Sequence, residues 1–388
     1  AASSRSVSWS DAFWNEGLSI AVVDGSTNAL YVSAMDKANN LGACSVAPFV
    51  YEDSSDRGLP SCDLSLGGRM TFAEFQAALD LAHGQREGYL ADGVVAICLE
   101  DGTLVQTSQR SEGERIRIPG DDMHIGCPNG RASFVNRRED ELPDAAVAQG
   151  GIWMEGVERI SLANLDVLIS GPEGVALGAQ DGSVLFLRSL DLRAEGLALD
   201  FPSEPLGMQL AEMNDCRLEA DSAMRIRSAH IGLIANSEFH YHGGNGLALD
   251  NAHLHISEIR DCLISSEDPE DGGTAINIHT ANRNASIQKM SGCTLRRSAS
   301  ADSGSGRALW FRHYGSDATY VSTPNFRDNC FCGPWAELLA PMPGPTQAWD
   351  PSRVGDTHGA LSVPWGDARH ATENPGFNWQ ATWVGDCP

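Results

Sequence analysis

The sequence predicts an all-β solenoid, a chain coiling as a parallel β-helix, and three observations carry that prediction. First, a six-residue phrase recurs six times: LANLDV from Leu162, LRSLDL from Leu187, MNDCRL from Met213, IANSEF from Ile234, IRDCLI from Ile259 and MSGCTL from Met290. The copies begin 25, 26, 21, 25 and 31 residues apart, and a period in the twenties marks a stacked repeat. Second, a strand-like phrase fills the gaps: IWME (152–155), VALG (175–178), LALD (197–200), MRIR (224–227), LALD (247–250), INIH (276–279) and LWFR (309–312). Third, Gly171, Gly174, Gly196 and Gly246 punctuate the repeat as corners.

The elements follow in chain order. Residues 1–90 read as an irregular segment with short strands at 18–25 and 29–36, ending in one capping helix at about 72–83. Thr71 is its N-cap, Glu74 completes a capping box, and FAEFQAALDLAHG runs amphipathically to Gly84. A solenoid needs such a cap because its open end exposes core. Residues 91–332 form the β-helix, with GVVAICLEDGTL (93–104) and ERIRIPGDDMHIG (114–126) as first coils. Residues 333–388 lack the repeat and form an irregular Trp- and Pro-rich tail packed on the solenoid.

Within the hexapeptide, positions 1 and 6 are apolar, position 4 is small or apolar, and position 3 is mostly Asn, Ser, Asp or Gly. Within the four-residue phrase, alternation sends positions 1 and 3 to the core and positions 2 and 4 outward. Leu199 and Leu249 should therefore share an inner face. GLALDNAHLHISEIRDCLISSED (246–268) resembles the repeat of pectin-lyase-like, right-handed parallel β-helices, a likeness covering roughly residues 90–332. That superfamily holds polysaccharide lyases, glycoside hydrolases, uronan epimerases, tailspikes and adhesins, so the resemblance implies a fold and no single reaction.

The 388 residues carry a formal net charge of −25, which excludes nucleic acid as partner. The same charge makes an acidic polysaccharide an awkward substrate unless cations or local arginines intervene. No apolar run has the length of a membrane span. The opening AASS suits a chain that follows a removed signal peptide, and ten cysteines suit a secreted or periplasmic location. Cys44 and Cys62 flank a loop that a disulfide would close, and Cys387 would pin the tail to Cys330 or Cys332. Cys216, Cys262, Cys293 and Cys330 share position 4 of the hexapeptide, so they should stack in the core as free thiols.

The fourth position of the strand phrase gives Glu155, Gly178, Asp200, Arg227, Asp250, His279 and Arg312; the second gives Trp153, Ala176, Ala198, Arg225, Ala248, Asn277 and Trp310. Such a face suits a sugar chain: indoles stack on pyranose faces, arginines clamp carboxylates, and His or carboxylate groups move protons. The alternating signs of Asp200, Arg227 and Asp250 are also what cross-strand charge pairing produces on any exposed sheet. As i, i+2 pairs, His240 with His242 and His253 with His255 would suit metal ligands but read better as corner residues. The acidic loop from Glu267 to Asp271 lacks EF-hand spacing.

The expected function is a carbohydrate-active enzyme that cleaves a polysaccharide, foremost a lyase acting by β-elimination on a uronic-acid glycan. His279 is the expected base, Arg227 and Arg312 the groups that neutralise the uronate carboxylate, and Tyr314 or His242 the acid. Asp200 and Asp250 would orient these groups or hold Ca²⁺. Trp153, Arg225, Asn277, Trp310, His242 and Tyr314 would contact the substrate. One alternative is an inverting hydrolase with Asp200 and Asp250 as its carboxylates, two coils or about 9.6 Å apart. Another is a non-catalytic glycan-binding or adhesin module.

Overall fold

The computed structural model describes residues 27–30, 49–52, 62–85, 94–107, 115–136, 150–202, 207–250, 254–266, 273–280, 285–287, 289–298, 306–313, 321–322, 325–327, 329–332, 337–341, 354–355, 378–380 and 383–385. The chain divides into two compact units, Ala1–Ser61 and Cys62–Pro388. In the first, Thr27–Leu30 pairs antiparallel with Phe49–Glu52; the strand expected at 18–25 lies outside the described residues.

The second unit is a right-handed parallel β-helix with three strands per coil. One coil shows the order. Gly150–Glu155 runs in sheet 1, Ile160–Ala163 in sheet 2, Leu165–Ile169 in sheet 3, and Val175–Gln180 re-enters sheet 1 beside Gly150–Glu155. Among the described residues sheet 1 has nine strands, from Ile116–Arg117 to Glu337–Pro341, all parallel. Parallel pairing begins before residue 91, at Leu64–Leu66 and Arg69–Thr71. It also continues past residue 332, through Asn378–Gln380 and Trp383–Gly385.

The hexapeptide spans the corner between sheets 2 and 3. Its first residues stack in register, Leu162 on Leu187, Met213, Ile234, Ile259 and Met290. Its sixth residues stack likewise, Val167 on Leu192, Leu218, Phe239, Ile264 and Leu295. All twelve are buried. The third position turns the corner in the left-handed region: Asn164, Ser189, Asp215, Asn236, Asp261 and Gly292 have φ between 48° and 65°. Asn, Asp and Gly reach that region at the lowest cost, which explains the composition at this position.

Position 4 faces the core. Cys216, Cys262 and Cys293 are buried and free, and their thiols reach the carbonyls of Leu187, Ile234 and Ile259, each in the preceding coil. Burial pushes the Cys216 thiol up to about 12. The expected Cys44–Cys62 bridge is not formed; Cys62 is bonded to Cys98, with Cα atoms 5.5 Å apart. Parallel pairing of Leu64–Leu66 with Ile97–Leu99 brings the two cysteines together across the intervening helix, a proximity that separation along the chain conceals. Cys332 is also disulfide-bonded, while Cys44 and Cys387 lie outside the described residues.

The capping helix α1 spans Phe72–Gly84 and carries the expected capping box of Thr71 and Glu74. Phe72, Phe75, Leu79 and Ala82 form its buried face, and Phe75 meets Phe134 edge-on at 5.2 Å. Among the described residues no helix is long and apolar enough to cross a membrane.

Candidate functional site

The outer face of sheet 1 is built by a register that differs in part from simple phrase alignment. Ile152 pairs with Leu177, Leu177 with Leu199, and Leu199 with Met224, so in the phrases at 175 and 197 the third residue, and not the first, stands opposite Ile152 and Met224. Strict alternation fails here because two successive residues turn inward: Ala176 and Leu177, Ala198 and Leu199, Ala223 and Met224 are all fully buried. Ala176 and Ala198 therefore belong to a small-residue row inside the coil. At Gly246 in that row a Cβ would lie 2.4 Å from Ile264 and 2.5 Å from the Ala275 carbonyl, leaving no room for a larger side chain. Val175 and Leu197, expected in the core, are half-buried.

The corrected outer row runs Arg117, Trp153, Gly178, Asp200, Arg225, Ala248, Asn277 and Trp310. Gly178 is matched to its neighbour, since a Cβ there would fall 1.9 Å from the Trp153 ring. The indole thus lies across the glycine, with the Arg115 guanidinium 4.9 Å from its ring centre. Asp200 is 3% exposed and takes both hydrogen bonds of a bidentate pair from Arg225, at 2.9 and 2.7 Å. Cross-strand charge pairing does hold these two residues, through Arg225 instead of Arg227. With both oxygens engaged, the Asp200 carboxylate fixes the plane of the half-exposed guanidinium beside it.

Beyond Arg225 the row offers Ala248 and then Asn277, which is 7% exposed and whose Oδ1 has no hydrogen-bond partner. A buried acceptor without a donor is costly, and one two strands along the row from an oriented arginine is a place for a hydroxyl-bearing ligand. Two residues further along each strand, the backbone register sets Asp250 beside His279 and His279 beside Arg312. Asp200 and Asp250 thus stand in different rows. The side chains of Asp250, His279, Trp310 and Arg312 lie outside the described residues, as do Tyr314 and the loops at 267–272 and 299–305. Arg227 is exposed where its strand ends, its N–H bonded to the Phe201 carbonyl.

No protein-family model matches the chain, and no curated protein does. Among solved structures, that of Escherichia coli YbhC is similar with a TM-score of 0.40 and 12% identity, over 84% of this chain and 85% of that one. The fold itself stands on the ladder register.

The remaining expected residues are placed apart from this face. His242 follows the sheet 3 strand Glu238–Tyr241, with its Nε2 3.7 Å from Glu219. His240 is held by Glu238 at 3.0 Å and by Ser265 at 2.9 Å. His255 stacks near His230, and burial followed by the His230 charge lowers its pKa; His253 lies outside the described residues. Among the described residues no group of three or more His, Cys, Asp or Glu residues is arranged to hold a metal ion.

Sequence reading missed one part of the face. A cleft of about 480 Å³ opens where α1 meets the first strand of sheet 1, lined by Gln76, Asp80, Arg115, Arg117, Ile118, Pro119, Trp153 and Glu155. Its signal was present in the alternating RIR of residues 115–117, which sends both arginines away from the core.

Proposed function

We propose that the protein is a secreted carbohydrate-active β-helix that binds an acidic polysaccharide along the outer face of sheet 1 and cleaves it by β-elimination. The observation that supports this most is the Asp200–Arg225 pair, followed along the same row by Ala248 and then by the unpartnered acceptor of Asn277. An oriented guanidinium suits a carboxylate, a small residue leaves space, and an unpartnered amide oxygen suits a sugar hydroxyl. Disulfides at Cys62–Cys98 and Cys332 support a secreted or periplasmic location.

β-Elimination removes the proton on C5 of a uronate, forms the C4–C5 double bond, breaks the bond from C4 to the glycosidic oxygen and protonates that oxygen. In this proposal His279 takes the C5 proton and Arg312 stabilises the carboxylate of that sugar as charge spreads onto it, while Arg225 holds the carboxylate of another sugar of the chain. Asp250 and Arg312, one coil to either side of His279, oppose each other in setting the imidazole's basicity. Tyr314 protonates the leaving oxygen, Arg227 adds positive field at the strand end, and Trp153 and Trp310 are stacking platforms. The hydrolase alternative is weakened by Asp200, whose oxygens are both bound to Arg225 and whose row is not that of Asp250.

The test is incubation with a panel of uronans, following ultraviolet absorbance of the unsaturated product and, separately, new reducing ends. A lyase raises both, a hydrolase raises only the second, and a binding module raises neither while retaining the polymer in affinity electrophoresis. His279→Ala should cut turnover about a hundredfold or more and leave the melting temperature almost unchanged. Near-normal turnover in that variant would overturn the assignment of the base.

A further inference from the structure

The cleft at the α1 end of sheet 1 sets two arginines side by side in a concavity that also holds an indole. Arg159, Arg193, Arg217 and Arg225 each form a salt bridge with an aspartate or glutamate, as expected where acids outnumber bases by 52 to 27. Arg115 and Arg117 line the cleft, and among the described residues no carboxylate forms a salt bridge with either. Burial and then the neighbouring Arg117 charge lower the Arg115 pKa, against a smaller opposing effect of Glu155. Two adjacent arginines without salt-bridge partners, beside an indole, make a place for an anion with an apolar face.

The far wall is fixed. Gln76 of α1 accepts from the Arg117 N–H at 2.7 Å and donates to the Arg117 carbonyl at 2.9 Å and to Asp80 at 2.9 Å. The helix is thereby bound to the strand edge, and the outer row that begins at Arg117 and Trp153 meets a wall there. A volume of about 480 Å³ lies in the usual range for small-molecule pockets.

We propose that this cleft is an end subsite for the terminal acidic sugar of a glycan chain, holding its carboxylate at Arg115 and Arg117 and its ring beside Trp153. The proposal rests on reading sheet 1 as a glycan groove, which it closes on the capped side. Asp80 and Glu155 supply acceptors for ring hydroxyls, so a uronate is favoured over a simple anion.

The test is calorimetric titration of the full chain with sodium galacturonate, galactose and sodium acetate. Galacturonate should bind, and galactose and acetate should each bind at least about tenfold more weakly. Arg115→Ala with Arg117→Ala should weaken galacturonate by about tenfold or more. Arg117→Gln, at an exposed side chain, should weaken it in the same direction with an unchanged melting temperature. Equal binding of galactose, equal binding of acetate, or indifference to both sets of substitutions would overturn the proposal. Asn277→Ala should weaken capture of a polyuronate without weakening galacturonate. Arginine-dependent galacturonate binding without any polymer capture would leave the cleft standing and remove the groove; polymer capture without galacturonate binding would do the reverse.

Discussion

Gly178→Ala tests the link between ladder register and site most sharply. The added methyl would lie 1.9 and 2.0 Å from Cζ3 and Cε3 of Trp153, where ordinary contact begins at about 3.4 Å. The ring must therefore move by roughly 1.5 Å, or the backbone must yield. The Gly178 backbone is not in the left-handed region, so the cost is overlap alone. Overpacking of this kind costs about 1–3 kcal/mol, and loss of the Arg115 contact adds about 0.5–1 kcal/mol. Urea unfolding followed by circular dichroism should show a lower midpoint, and tryptophan emission of the folded protein should shift as the indole gains water. Gly84→Ala is the control, since nothing lies within 4 Å of its Cβ position. An unchanged midpoint and unchanged emission in Gly178→Ala would refute the placement of Trp153 over Gly178, and with it the row.

Further outcomes follow from the core and its titrating groups. Leu199→Ala should cost about 2–5 kcal/mol, while Val175→Ala, at a half-buried position, should cost distinctly less; equal shifts in urea midpoint would mean the inward row is misplaced. Cys127, Cys216, Cys262 and Cys293 should resist thiol reagents until the protein is unfolded, whereas Cys62 and Cys98 should react only after reduction. Because burial raises the Cys216 pKa from 9.0 to about 12, its contribution to stability is complete below pH 9.0 and is lost as pH rises toward about 12. Cys216→Ala should flatten that alkaline decline in melting temperature, and an unaltered slope would count against it. His124 is 1% exposed, with neither ring nitrogen bonded, and burial lowers its pKa from 6.5 to about 4. Its neutral form stabilises the fold above pH 6.5, and that contribution is lost as pH falls toward about 4. His124→Phe should therefore lessen the acid loss of melting temperature; a steeper loss would contradict the sign.

Much of the architecture was legible because the hexapeptide encodes a corner. A left-handed residue between two buried apolar ones repeats with each coil, and Asn164, Asp215 and Gly292 display it in the sequence itself. The capping helix was legible for a similar reason, since Thr71 and Glu74 are a local hydrogen-bonding device. Sheet 1 was legible only in part. Its strands break alternation at Ala176, Ala198 and Ala223, where two neighbours face inward, and a four-residue window such as VALG fits either of two registers. That shift replaced Arg227 by Arg225 as the partner of Asp200 and moved Gly178 beneath Trp153. The Cys62–Cys98 bridge was hidden because a parallel pair brings together residues that a helix separates along the chain.

The most direct measurement of the groove is a crystal structure of the His279→Ala variant soaked with an oligouronate. The account predicts sugar density along the outer face of sheet 1, from Trp153 past Arg225 to Asn277, with a carboxylate at the Arg225 guanidinium. An oligosaccharide bound on sheet 2 or sheet 3, or an outer face left empty at saturating ligand, would contradict it.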